Sequence, residues 1–172
     1  LDPIKGVDRL LRAVAIARSS LPELRLELVG PGERHRRELE ALSQELGLAE
    51  VVAFRGFVAA DEKVRTLERA HAMCLLSHSE GLPTAALEAM ACGTPVVLSR
   101  GCHLDEVDGV AGVVVSGEPA QTSQAIVSLL ADEPRRARLG EGAEQFAARF
   151  HRDEVTPRMV ALFENLARPP AR

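Results

Sequence analysis

The sequence contains no tryptophan and no tyrosine, and phenylalanine occurs five times in 172 residues. Surfaces that hold single-stranded nucleic acid stack bases on aromatic rings, so this scarcity argues against that role. Basic charge is not in excess either. The formal net charge is −4, whereas a phosphate-backbone binder needs a basic face, and nucleic acid is not an expected partner. No apolar run approaches the roughly 20 residues that cross a bilayer. The cysteines Cys74, Cys92 and Cys102 are odd in number and form no CxxC pair. They read as free thiols in a reducing compartment. The chain begins Leu1-Asp2-Pro3-Ile4, with neither an initiator methionine nor a signal peptide, and runs directly into a helix start at Gly6. It is expected to be a piece cut from a longer protein.

What is present is an ordinary globular composition, 46% apolar and 27% charged, in a length that supports one well-buried domain over residues 1–172. Two periodicities alternate along it. Helical spacing at Val7, Leu10, Leu11 and Val14 gives way to the short strand run Leu26-Glu27-Leu28-Val29, which ends at Gly30-Pro31-Gly32. Leu39, Leu42 and Leu46 mark a second helix closed by Gly47. Further strands are expected at 51–54, 73–76, 96–98 and 113–115. Helices are expected near 61–69, 84–92, 119–131, 134–149 and 153–168, with a frayed tail after Arg168. Near-continuous apolar strands, each leading into a helix, imply a parallel sheet covered on both faces. The expected fold class is therefore α/β, a doubly wound Rossmann-like sheet with helices on both sides. Ligands of such sheets bind at the carboxyl ends of the strands, so the loops after residues 29, 54, 77, 98 and 115 carry the interest.

The stretch Ser79 to Val97 holds the densest chemistry. A strand ends near Ser77, Gly81 and Pro83 shape a loop, and Thr84 is placed to cap the helix that follows. Free N–H groups at that helix start, with the positive end of its dipole, form an anion site suited to a diphosphate. Glu88 falls one turn into the helix and can face the same pocket. The small residues Ala85, Ala86, Ala89 and Ala91 let the helix lie close on the sheet. On this chemistry alone the signal is modest, and a solvated loop charge at Glu80 with a helix-stabilising charge at Glu88 is the better explanation.

Glu80, seven residues, then Glu88 and Ala-Met-Ala-Cys-Gly-Thr-Pro-Val-Val resembles the signature of retaining glycosyltransferase family 4, also called glycosyltransferase group 1, of GT-B architecture. The likeness continues in order along the chain. Lys5-Gly6-Val7-Asp8-Arg9-Leu10-Leu11 is similar to the segment opening that family's C-terminal domain, and Leu28-Val29-Gly30-Pro31-Gly32 to its strand and glycine loop. Phe54-Arg55-Gly56-Phe57-Val58 resembles its base-side strand, and Gly101 to Glu106 its Gly-x-x-x-x-Glu turn. The resemblance implies that this is the nucleotide-sugar-binding C-terminal domain, with an N-terminal acceptor domain elsewhere. Lys5 would meet the donor diphosphate, beside an arginine that normally lies a few residues upstream. Glu80 would bond the transferred sugar and Glu88 the ribose hydroxyls. Backbone at Gly30 and Val58 would approach the nucleotide, with Lys63 nearby, and Gly81, Leu82, Pro83 and Thr84 would line phosphate and sugar. Two departures bear on specificity: Gly81-Leu82-Pro83 replaces the family's Gly-Phe-Gly, and Gly101-Cys102-His103 its paired glycines.

A metal site from His103, Asp105, Glu106 and Asp108 fits no strong ligand spacing, and the resemblance implies neither metal nor other cofactor. His78 and His103 sit in ligand-facing loops, and His35, His71 and His151 read as surface or core-edge residues. The expected partner is a UDP-, GDP- or ADP-linked sugar, and the expected activity is its transfer, with retention, to a glycan or lipid-linked acceptor. The isolated chain would bind but not turn over. The expected location is cytoplasmic, with any contact at the inner membrane face made through the absent domain. The alternatives are a non-catalytic nucleotide-binding module of the same fold and a signalling or interaction domain.

Overall fold

The computed structural model describes residues 2–167, the side chains of Glu33 and Arg34 excepted. Five strands among the described residues all pair in parallel. They are β1 (Leu26–Val29), β2 (Val52–Gly56), β3 (Met73–Leu75), β4 (Val96–Ser99) and β5 (Gly112–Val115). Among the described residues seven α-helices alternate with or follow them: α1 (Val7–Ala17), which precedes β1, α2 (Glu33–Glu45), α3 (Ala60–Arg69), α4 (Thr84–Ala91), α5 (Pro119–Ala131), α6 (Glu133–Ala148) and α7 (Arg152–Ala167). The expected α/β class is what is observed. Three short 3-10 turns, Pro3–Lys5, Arg100–Cys102 and Asp105–Val107, lie where periodicity carries no signal. The expected frayed tail lies outside the described residues.

Two apolar layers sandwich the strands, and β4 shows how. Its side chains alternate faces. Val97 joins Leu10, Leu11 and Val14 of α1 and Leu129 of α5. Val96 and Leu98 join Ala86, Ala89 and Met90 of α4 and Phe146 of α6. All four β4 residues are buried, which is why the segment reads as a continuous apolar run. Each fully buried leucine such as Leu11 or Leu98 contributes about 1.5–3 kcal/mol. Of the alanines expected to seat α4, Ala86 and Ala89 are buried, while Ala85 and Ala91 face outward. Burial pushes the Cys74 thiol up to about 12, so it stays protonated inside the domain.

One feature departs from a single continuous sheet. The strands form two pieces, β1-β2 and β3-β4-β5, with no ladder between β1 and β3 among the described residues. α7, like α3, has no buried residue, and Met159, Leu162, Phe163 and Leu166 project from it into solvent.

Candidate functional site

The carboxyl ends of β3 and β4 and the N-terminus of α1 meet at one point, and two glycines permit it. Gly6 adopts φ +62°, and a β-carbon there would overlap the Leu76 carbonyl oxygen. The turn before α1 is thus drawn onto the end of β3. Gly101, after β4, lies so close to the Ser77 carbonyl oxygen that a side chain would overlap it. Ser99 adds a tie by donating from its hydroxyl to the Ser77 carbonyl at 2.6 Å. The Glu80 backbone N–H donates to the Gly101 carbonyl at 2.9 Å, and the His78 N–H to the Ile4 carbonyl at 2.7 Å.

This frame presents the Glu80 carboxylate to two donors on one oxygen. Lys5 Nζ lies 2.8 Å from Glu80 Oε1, and the Ser77 hydroxyl donates to the same atom at 2.6 Å. The Glu80 side chain is 11% exposed, the Lys5 side chain 43%. Burial alone would raise the Glu80 carboxyl. The hydrogen bonds from Lys5 and Ser77, together with the Lys5 charge, outweigh it and hold the group below its usual range. Glu80 is therefore an anchored anion, while the lysine stays open to solvent and to a further anion.

Beside it, α4 begins. Thr84 is not the cap expected from its residue type: it is the first helical residue, and Pro83 is the N-cap, with no side-chain cap bond. The N–H of Thr84 instead closes a tight turn on the Leu82 carbonyl at 2.8 Å. The helix start is consequently left without a side-chain oxygen over it, and Ala85 N–H has no protein acceptor among the described residues. Such an end favours an anion. Leu82 is half-exposed on the loop, Pro83 is buried beneath it, and the space around Gly81 is open.

A second ion pair stands a turn further on. Lys63 Nζ of α3 lies 2.7 Å from Glu88 Oε1 of α4, with the side chains 38% and 46% exposed. No hydrogen bond joins this pair to the Lys5–Glu80 pair among the described residues. Val58 follows β2, half-buried beside the largely exposed Phe57. Gly30 follows β1 at φ +136°, a conformation suited to glycine, and faces open space. The predicted residues thus gather along one end of the strands, in two charged groups rather than one.

Two features were not anticipated. Ser77 is one, although its place three residues before Glu80 was the available signal. The other is Arg9, whose guanidinium reaches His78 Nδ1 at 3.0 Å. The carboxylates once considered beside His103 have structural contacts: Asp105 pairs with Arg100 at 3.6 Å, and Asp108 accepts from Val114 N–H at 2.9 Å. A cleft of about 360 Å³ lies at the opposite end of the domain, lined by His71, Gly93, Pro95, Arg136 and Glu144, and holds none of the predicted residues. No helix among the described residues is long and apolar enough to cross a membrane.

Known proteins resemble this chain in sequence and fold. The family model described as glycosyl transferases group 1 matches residues 1–146. A D-inositol 3-phosphate glycosyltransferase of Stackebrandtia nassauensis is 38% identical over 161 residues, covering 87% of this chain and 36% of that protein. Among solved structures, sucrose-phosphate synthase from Thermosynechococcus elongatus superposes with a TM-score of 0.85 at 28% identity, over 96% of this chain and 43% of that one. Anabaena Alr3699/HepE, solved in complex with UDP and glucose, gives 0.83 at 25% identity, over 96% and 46%. The chain spans about two fifths of the length of the curated relatives it matches, from 36% to 42% in these cases.

Proposed function

The chain belongs to the glycosyl transferases group 1 family, and on that premise we propose that it is the donor-binding part of a retaining glycosyltransferase. The observation that carries this reading is the convergence of Lys5 and Ser77 on Glu80 beside the uncapped start of α4. An anchored carboxylate next to a solvent-open lysine and a helix N-terminus offers opposite charges a few ångströms apart. A nucleotide-diphosphate sugar presents the complement, with hydroxyls on one side of the anomeric carbon and phosphate on the other.

In this reading Lys5 and the N–H groups opening α4 receive the diphosphate, and Glu80 accepts hydrogen bonds from the sugar hydroxyls. Glu88, released in part from Lys63, accepts from the ribose, and backbone at Val58 and Gly30 borders the base side. Gly81, Leu82, Pro83 and Thr84 form the wall between phosphate and sugar. The bond from the anomeric carbon to the diphosphate oxygen breaks as an acceptor hydroxyl attacks from the same face, and the hydroxyl proton passes to the departing diphosphate. Stabilising the charge that grows on that leaving group is the chief electrostatic task. Lys5 and the α4 dipole do part of it, and an upstream arginine would add to them.

The UDP and glucose bound to the Anabaena protein support a uridine diphosphate sugar as the donor to test first. The acceptor belongs to polypeptide beyond this chain, consistent with the two-fifths coverage of its relatives. Their name adds a phosphorylated polyol to the glycan and lipid-linked acceptors already expected.

A thermal-shift panel of UDP, GDP and ADP with their sugars tests the proposal. At least one nucleotide is expected to stabilise the fold, and Glu88→Gln to weaken ribonucleotides more than 2′,3′-dideoxy analogues. No stabilisation by any member would contradict donor binding. Equal weakening of both kinds would remove the ribose role of Glu88.

A further inference from the structure

Around the carboxyl ends of the strands, cations come with carboxylates. Lys5 pairs with Glu80, Lys63 with Glu88, Arg55 with Glu27 and Glu62, Arg36 with Glu40, and Arg100 with Asp105. Arg9, in the first turn of α1, differs. It is half-buried, and its contact is the His78 ring, at 3.0 Å from Nη2 to Nδ1. Among the described residues neither Asp8, its neighbour on α1, nor Glu118, after β5, makes an ion pair with it. A half-buried guanidinium that faces an imidazole keeps its charge uncompensated, the setting that favours an anionic ligand.

The chain builds a seat for that guanidinium. Gly117, after β5, adopts φ +91°, and a β-carbon there would lie 3.0 Å from Arg9 Nη1 and 3.6 Å from the Ser99 β-carbon. A side chain at this position would press on the arginine, whereas glycine leaves the Nη1 edge clear. His78 is fixed through its backbone N–H, which donates to the Ile4 carbonyl at 2.7 Å. The ends of β3, β4 and β5 thus meet at Arg9, through His78, Ser99 and Gly117. A guanidinium carries only donors, so His78 Nδ1 accepts and the ring proton sits on Nε2. Nε2 has no partner among the described residues. The pair therefore offers one positive charge and unused N–H groups on two side chains.

We propose that Arg9 and His78 form a second anion subsite, which receives a phosphate group carried by the acceptor. This rests on the reading of the chain as a donor-binding part. It adds one contact between this chain and an acceptor otherwise held by polypeptide beyond it. Position separates the subsite from the donor's diphosphate. In the donor reading the nucleotide lies toward β1, β2 and α3, beside Gly30, Val58 and Lys63, and the diphosphate meets Lys5 and the start of α4. Arg9 reaches the strand ends at His78 and Gly117 instead, toward β5. A phosphate suits the pair because its several oxygens can take the guanidinium fork and the imidazole N–H together. Its charge also supplies the counterpart that Arg9 lacks.

Titration of inorganic phosphate into the chain saturated with UDP tests the subsite, because Lys5 and the start of α4 are then already occupied. The NMR signals of Arg9, His78 and Gly117 are expected to move together along one binding curve. Glycerol 3-phosphate should move the same signals, and glycerol should not. Arg9→Gln keeps a donor for His78 Nδ1 but removes the charge. It should weaken phosphate about 10- to 100-fold, the range of one charge-assisted hydrogen bond, and leave UDP affinity within about twofold. Arg9→Lys, which restores the charge, should bind phosphate more tightly than Arg9→Gln. Unmoved signals would overturn the proposal. So would phosphate binding that Arg9→Gln leaves intact, the mark of an adventitious ion only. Binding of inorganic phosphate without glycerol 3-phosphate would exclude an acceptor's phosphate, and a matching loss of UDP affinity would assign Arg9 to the donor's diphosphate. If no UDP binds, the donor reading fails, and the same titration of the UDP-free chain and Arg9→Gln decides the subsite.

Discussion

The two lysine–glutamate pairs at the strand ends have nearly equal lengths, 2.8 Å for Lys5–Glu80 and 2.7 Å for Lys63–Glu88, yet they are built differently. Glu80 is enclosed, receives a second donor from Ser77 and has its backbone fixed to Gly101. Glu88 stands on a helix surface, with both partners over one-third exposed. A pair held by several chain segments keeps its geometry before a ligand arrives, which favours orientation of a reacting sugar. A pair held only by two long side chains in water contributes little to stability and can exchange partners readily, which suits recognition of ribose.

The comparison breaks most severely at Gly101. Gly101→Ala puts a β-carbon onto the Ser77 carbonyl and should cost roughly 2–4 kcal/mol, read as a lower urea midpoint. Gly81→Ala, in open space on the same loop system, should change stability by less than about 0.5 kcal/mol. Equal effects would mean that Glu80 is not held by the Gly101 contact.

Ser77→Ala is the next step down. It removes one donor from Glu80 and should cost about 1–2 kcal/mol near neutral pH. The sign of its pH dependence follows from the lowered Glu80 carboxyl. That group's contribution is fully present above its ordinary value of 4.5 and is lost as pH falls through the lower folded value. The difference in stability between the parent and Ser77→Ala should therefore shrink toward acid. A difference that stays constant with pH would show that Ser77 acts through packing, not through the carboxylate. Lys63→Ala should do least, under about 1 kcal/mol and diminishing with salt. A larger loss would erase the distinction between the pairs.

Much of this was legible beforehand because it is periodic or covalent in origin. α5 spans the expected 119–131, and β4 announces itself through Val96-Val97-Leu98, apolar because both faces are covered. Lys5, Glu80 and Glu88 stand out by motif. What stayed hidden depends on contacts between distant segments. The residue type of Thr84 suggests a cap, but Pro83 takes that position and Thr84 N–H closes a tight turn on the Leu82 carbonyl. Ser77 looks like any strand-end serine until the turn folds its hydroxyl back onto Glu80. The divided sheet is invisible to periodicity, which identifies strands without naming their neighbours.

The central claim is that Lys5, seated against Glu80, receives the donor's diphosphate. Calorimetric titration of UDP and uridine into the parent chain and Lys5→Ala tests it most directly. The account predicts a loss of about 10- to 100-fold in UDP affinity, the range of one charge-assisted hydrogen bond, with uridine affinity unchanged. Equal loss for both ligands, or none for UDP, would contradict it.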